Sequence, residues 1–302
     1  MTLFAVLAAL GLEHWRPARP EQPRRLARDG LVWLLAHMNA GGEQHGALAW
    51  SVGVLVPALV AAGASMLLAG FWPPLAWGFD VAVLYFCLGF KSASHRAADV
   101  VSALRAGELG QARERLAGWR PGLLVGADES ALTRQVLEET LRQSVVRLFG
   151  VVFWFLLLGC AGALIYLLTR MARDRWHGEP AFCCFVGRMA AWLDWLPVRL
   201  LAFSFAIVGN FQDAQECWRG QARSWGDESE GVLLAAAAGA LGLRLGGALR
   251  LPAGELVRPD LGPDEPHGMD PGLDALDGVV ALIWRAALLW LAVLGLLWLG
   301  SL

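Results

Sequence analysis

The apolar residues of this chain lie in long runs, and the stretches between them carry almost all their positive charge as arginine. Ala47 to Phe71, Leu75 to Phe90, Leu148 to Thr169 and Val279 to Leu299 approach or exceed the roughly 20 residues that let a helix cross a hydrocarbon core. One soluble core cannot absorb them all. Of 302 residues 56% are hydrophobic and 17% charged, against about 45–50% and about 25% in soluble domains, and mean hydropathy is +0.48. A disordered chain, a collagen-like chain and a disulfide scaffold are excluded, and an ordinary soluble enzyme is disfavoured. The expected fold is all-α: a polytopic helical membrane protein with about 4–5 transmembrane helices and cytoplasmic helical loops. Residues 1–302 read as one membrane domain, with a soluble helical insert near 92–147 and a polar segment near 210–278.

A net charge of −2 supplies no basic field for nucleic acid. Lys91 is the only lysine, and the arginine excess, beside so many Ala, Gly, Leu and Trp, reads as genome base composition. Cys87, Cys160, Cys183, Cys184 and Cys217 form no C-x-x-C pair, and the adjacent Cys183 and Cys184 read as small buried hydrophobes.

Thr2 to Leu12 is half a span, followed by Glu13, and lacks the flanks of a cleaved signal peptide. It reads as a short helix that enters the bilayer partway or packs on the bundle. Arg16 to Gly46 reads as a polar loop holding one short amphipathic element, Leu31 to His37. Trp72, Pro73 and Pro74 predict a turn at a membrane surface, and the second span carries Asp80. From Ala97 to Trp119 the periodicity predicts one helix, stopped by Pro121 and Gly122, and Ser130 is the expected N-cap of the next. Met189 to Val208 is a weaker span, interrupted by Asp194, Pro197 and Arg199. The strong final span contains Arg285.

By the positive-inside rule the loops around Arg16–Gly46 and Ser92–Arg147 are cytoplasmic. If Leu148 to Thr169 crosses outward, Arg170, Arg173 and Arg175 lie on the wrong side. Two readings stay open: a hairpin broken at the Gly159–Gly162 patch, or an arginine cluster that breaks the rule.

No P-loop, G-x-G-x-x-G, H-E-x-x-H or G-x-S-x-G is present. The histidines His14, His37, His45, His95, His177 and His267 show no ligand spacing, so no metal site is expected. His95 and Arg96, at the cytoplasmic end of the second span, suit an anionic ligand or lipid phosphates alike. Asp194 and Arg199 flank Pro197 and are expected to pair across helices. Gly246–Gly247 is the expected end of the helix containing Ala235 to Ala240. Asp264, Glu265, Asp270, Asp274 and Asp277 read as a solvated acidic loop.

These segments, in this order, resemble the CobD/CbiB superfamily of membrane proteins over nearly the whole chain. The resemblance rests on Val152-Phe153-Trp154, on Trp195 to Leu200, on Ala238 to Gly247, on Gly254 to Val257 and on Leu104 to Leu109. Synthases of this family join an aminopropanol or its phosphate to a cobyric acid side chain, using ATP. Their run E-S-x-A-E-N-x-S-D-G is replaced here by Glu138-Glu139-Thr140-Leu141-Arg142-Gln143-Ser144-Val145-Val146-Arg147, in which only Glu138 stays in place. The polar elements after the third span are also lost. Leu193 to Leu200 is more similar to the AmpE-like, non-synthase branch. That resemblance implies an inner-membrane, multi-pass regulatory or signalling modulator, catalytically reduced, with no catalytic residues and no cofactor. The alternative is a divergent adenosylcobinamide-phosphate synthase using Glu138, Arg199, Arg244 and Glu255, with ATP and Mg. The ligand-pocket candidates are Glu138, His95, Arg96, Asp194, Arg199, Arg244 and Glu255. Expected partners are the lipid bilayer and a small anionic ligand or a membrane protein, and no nucleic acid. A transporter is disfavoured, because no inverted repeat is seen.

Overall fold

The computed structural model describes residues 2–15, 21–38, 43–119, 123–176, 178–251, 254–264 and 267–300. In chain order the helices are α1 (Thr2–Trp15), α2 (Glu21–Met38), α3 (Glu43–Trp50), α4 (Val56–Phe71), α5 (Pro73–Cys87), α6 (Phe90–Arg105), α7 (Leu109–Ala117), α8 (Glu129–Ser144), α9 (Gly150–Trp176), α10 (Pro180–Val208), α11 (Phe211–Gln221), α12 (Glu228–Leu241) and α13 (Ala275–Leu299). Short π-helical turns, Ser51–Leu55 and Val145–Phe149, join α3 to α4 and α8 to α9. Four short strands lie between α12 and α13: β1 (Leu245–Gly246), β2 (Leu249–Leu251), β3 (Gly254–Leu256) and β4 (Asp260–Leu261). The protein is thus an all-α polytopic membrane protein, and five of its continuous helical stretches are long and apolar enough to cross a bilayer. The chain divides into two compact units, Met1–Ser92 with Val146–Asp194, and Ala93–Val145 with Trp195–Leu302.

In the first unit α1 packs on α5, as one of the two expectations for the N-terminus held. The helix α2 is far longer than the expected Leu31–His37 element, because Pro23 falls in its first turn, where a missing N–H is harmless. Arg16 and Arg19 lie outside the described residues. Beyond Cys87 the chain leaves the helix, and Arg24 donates to the carbonyls of Phe86 (2.9 Å) and Leu88, so a cation closes the carboxyl end of α5. The carboxylate of Glu13, buried at the end of α1, accepts the backbone N–H of Lys91 at 3.1 Å.

The third apolar segment does not run straight. At Gly159 the backbone turns to φ 64°, ψ −152°, and α9 doubles back on itself. Residues 154 and 162 would lie about 12 Å apart along a straight helix, and residues 150 and 166 about 24 Å. Instead a Cβ on Gly162 would collide with the Trp154 carbonyl, and one on Gly150 with the Tyr166 ring. The two arms are therefore antiparallel neighbours, and glycine is required where they touch. The indole N–H of Trp154 donates to the Leu193 carbonyl (3.0 Å), that of Trp50 to the Thr169 hydroxyl (3.0 Å) and that of Trp176 to the Leu31 carbonyl (3.0 Å). At the tip, Cys160 meets the Asp80 carboxylate, which also accepts from Ser65 at 2.9 Å. The arms enter beside Trp50 and leave by the same side. This is the hairpin reading, and it removes the conflict posed by Arg170, Arg173 and Arg175. The weak span is also continuous, since α10 runs 29 residues with Pro197 inside it. Cys183 is half-buried and Cys184 exposed on this helix, which corrects the expectation of two buried side chains.

In the second unit the predicted Ala97–Trp119 helix is two helices. Gly107, at φ 75°, breaks it between α6 and α7, and α7 ends at Ala117; Pro121 and Gly122 lie outside the described residues. The N-cap of α8 is Asp128, whose side chain accepts from the Ala131 N–H at 3.1 Å, not Ser130. The core is α8 against α12 and α13, with the Ala235–Ala238 run of α12 wholly buried. Gly239 lets α12 approach the Asp213 backbone of α11 closely. The helix α12 stops at Gly242 (φ 66°), earlier than the expected Gly246–Gly247 pair. Arg285, inside the last span, donates to the Val208 carbonyl at the end of α10 (3.2 Å), which explains a charge at that position. The strands pair as two small antiparallel sheets, β1 with β4 and β2 with β3.

Two tests follow from the hairpin. Gly162→Leu is expected to destabilise the purified protein by about 1–3 kcal/mol in a thermal melt in detergent. Gly63→Leu, where nothing lies within 4 Å, should stay within about 0.5 kcal/mol of the parent. In a background without native cysteines, Trp72→Cys and Arg175→Cys should react with a membrane-impermeant maleimide from opposite faces. Labelling of both from one face would show that the segment crosses.

Candidate functional site

Glu138, on the buried face of α8, is the anchor of a polar cluster in the second unit. Its Oε1 accepts the Gly246 N–H at 2.9 Å and Arg258 Nη2 at 3.2 Å, and its Oε2 accepts Arg258 Nη1 at 2.8 Å. Arg258 also donates to the carbonyls of Gly246 (3.2 Å) and Gly247 (3.1 Å), and its guanidinium stands 5.4 Å over the Trp225 ring. Gly246 and Gly247 take φ 71° and 72°, and a Cβ at Gly246 would strike the Pro259 carbonyl. The turn is thus glycine by necessity and is gripped by a carboxylate and a guanidinium in fork geometry. Both oxygens of Glu138 are occupied, so in this arrangement it positions the Gly246–Gly247 turn and abstracts no proton.

One turn along α8, Arg142 pairs with Glu139 (3.3 Å) and with Glu230 of α12. Gln221 clamps the far end of the segment, accepting from the Gly262 N–H (2.7 Å) and donating to the Gly262 carbonyl (2.8 Å).

The structure gathers only some of the sequence candidates. Glu138 meets the glycine-rich segment that contains Arg244, whose own N–H donates to the Met269 carbonyl at 2.9 Å. Glu255 lies on β3, in register with Arg250 on β2. His95 is exposed on α6, and Arg96 stands 5.8 Å over the Trp119 ring. Asp194 and Arg199 do not pair, which corrects that expectation. Asp194, 5% exposed, accepts from Tyr166 (2.7 Å) and pairs with Arg170 (2.5 Å) in the first unit. Arg199 pairs with Glu228 at 2.7 Å in the second unit and lies over the Trp195 ring. Helix continuity through Pro197 sets the two side chains on different faces. Sequence reasoning missed Arg258, Trp225, Glu230 and Arg170. The Gly254–Pro259 stretch had drawn attention to Glu255, although the partner of Glu138 is Arg258, three residues beyond Glu255.

Among the described residues no three His, Cys, Asp or Glu side chains are grouped to hold a metal ion. Glu265 and His177 lie outside the described residues.

A multi-pass helical bundle whose polar segments hold a gripped glycine turn defines the class: a polytopic membrane protein with extramembrane helical and β-turn elements. The family model described as CobD/Cbib protein matches residues 6–272, and the chain belongs to the CobD/CbiB family. It is similar to the cobalamin biosynthesis protein CobD of Stutzerimonas stutzeri, 33% identical over 84% of this chain and 82% of that one. The protein of the same name from Chromobacterium violaceum is 34% identical over 70% of this chain and 68% of its own. The cobalamin biosynthesis protein CbiB of Salmonella typhimurium is 27% identical over 82% and 80%. No solved structure matches. These names overturn the expectation of an AmpE-type regulatory modulator: the polar losses that suggested it occur in a chain whose relatives at 33–34% identity carry cobalamin-biosynthesis names.

Removing one member of a buried pair leaves the other charge stranded. Arg258→Ala and Asp194→Ala are each expected to cost about 3–5 kcal/mol in chemical denaturation. Arg199→Ala, which breaks a partly exposed pair, should cost about 0–1 kcal/mol.

Proposed function

We propose that this chain acts in cobalamin biosynthesis as a divergent adenosylcobinamide-phosphate synthase in the bacterial inner membrane. The observation that carries this reading is the match to a CobD protein along 82% of that protein's length and 84% of this chain. The reaction class is amide formation between the amine of an amino alcohol, or its phosphate, and a carboxyl side chain of a corrinoid. Activation by ATP is the expectation that comes with the family resemblance.

The described residues of the Glu138 cluster do not fit a magnesium site. Glu138 is engaged by Arg258 and the Gly246 N–H, and Glu139 and Glu230 share Arg142. No step is therefore routed through a metal. What this chain's own residues supply is a preset backbone turn at Gly246–Gly247, held by Glu138 and Arg258, in one of the stretches that carry the family resemblance.

Expression in a strain lacking its synthase tests the reading. Corrinoid-dependent growth should return, and the amide product should be seen by mass spectrometry of cell extracts. No growth, with the protein present in the membrane at normal level, would overturn it.

A further inference from the structure

On the surface of the second unit α6 and the end of α7 enclose a hollow of about 400 Å³, lined by Arg96, Asp99, Arg115 and Trp119. That volume lies in the about 300–1,000 Å³ range of small-ligand sites. None of these residues takes part in the Glu138 cluster. Arg115 donates from Nη1 to the Asp99 backbone carbonyl at 2.6 Å, and this is the only bond its fork of five donors makes among the described residues. The guanidinium of Arg96 is steadied 5.8 Å above the Trp119 ring. The Asp99 carboxylate has no hydrogen-bond partner among the described residues, and Glu139 acts on Arg96 from α8. The hollow therefore offers two oriented guanidiniums, one acceptor carboxylate and an indole wall.

We infer that this hollow binds a phosphate ester that carries a hydroxyl beside its phosphate. Arg96 and Arg115 take the phosphate oxygens as charge-assisted donors, and the hydroxyl donates to Asp99. Inorganic phosphate can offer Asp99 only a P–OH, and that donation brings the phosphate's own charge against the carboxylate, whereas an alcohol hydroxyl brings none. Two sources share this chemistry: a soluble polyol phosphate, and the head group of a hydroxyl-bearing anionic phospholipid. The inference does not depend on the synthase reading, because it concerns binding by residues outside the Glu138 cluster.

The test uses the full-length protein in detergent and in nanodiscs, with glycerol 3-phosphate, inorganic phosphate and phosphatidylglycerol as probes. By calorimetry the parent should bind glycerol 3-phosphate at least about tenfold more tightly than inorganic phosphate. Arg96→Gln and Arg115→Gln should each weaken binding by about tenfold or more at unchanged melting temperature. Asp99→Ala should abolish the preference over inorganic phosphate. If the soluble probe is inert, but phosphatidylglycerol nanodiscs raise the melting temperature of the parent and not of Arg96→Gln, the ligand is the lipid head group. Should Arg115→Gln fail to fold, Arg96→Gln, altered at an exposed site, decides. Absence of any response to all probes, or binding that neither arginine variant weakens, would overturn the inference.

Discussion

A carboxylate withdrawn from water must meet a cation or lose its charge, and the fold is organised around that constraint. Asp194 is met by Arg170, Glu138 by Arg258, and Glu139 and Glu230 by Arg142. The same side chain closes helix ends, with Arg24 at α5 and Arg285 at α10. Apart from Arg142–Glu139, which lies within α8, these contacts join different elements of the chain, so the arginines help set which helices can be neighbours. A guanidinium suits this work because it keeps its charge when desolvated and directs several donors from one plane.

Within that framework the glycines decide where backbones come close. Gly150 and Gly162 bring the arms of α9 together, Gly239 brings α12 onto α11, and Gly246 fits beneath the Pro259 carbonyl. The indole donors of Trp50, Trp154 and Trp176 then fix the hairpin to its surroundings without needing charge. Close approach first, directional bonds second, is how a segment with almost no polar side chains acquires a single position.

Much of the membrane architecture was legible because run length and composition act locally. The turn at Trp72–Pro74 and the final span follow from neighbours in sequence. The partners of charges were not legible, since the nearest opposite charge in sequence, Arg199 for Asp194, was not the nearest in space. Asp128 in place of Ser130, and the break at Gly107, turned on which residue adopts a non-helical φ, ψ pair. In the site, Glu138 was found from the one position kept in an otherwise altered run, whereas Arg258 gave no signal of its own. Its role depends on β1 pairing with β4, a contact that no local pattern announces.

The doubled-back α9 also constrains biogenesis. A segment that reverses at Gly159 cannot be released into lipid as one finished crossing, because its tip needs Asp80 and its arms need Thr169–Trp50 and Trp154–Leu193 bonds. During synthesis α4 and α5 emerge first, so the receiving wall for the tip already exists when the hairpin appears. The carbonyl of Leu193 and the carboxylate of Asp194 arrive later, on α10. The final contacts of Arg170 and of the Trp154 indole therefore form only once α10 is in place.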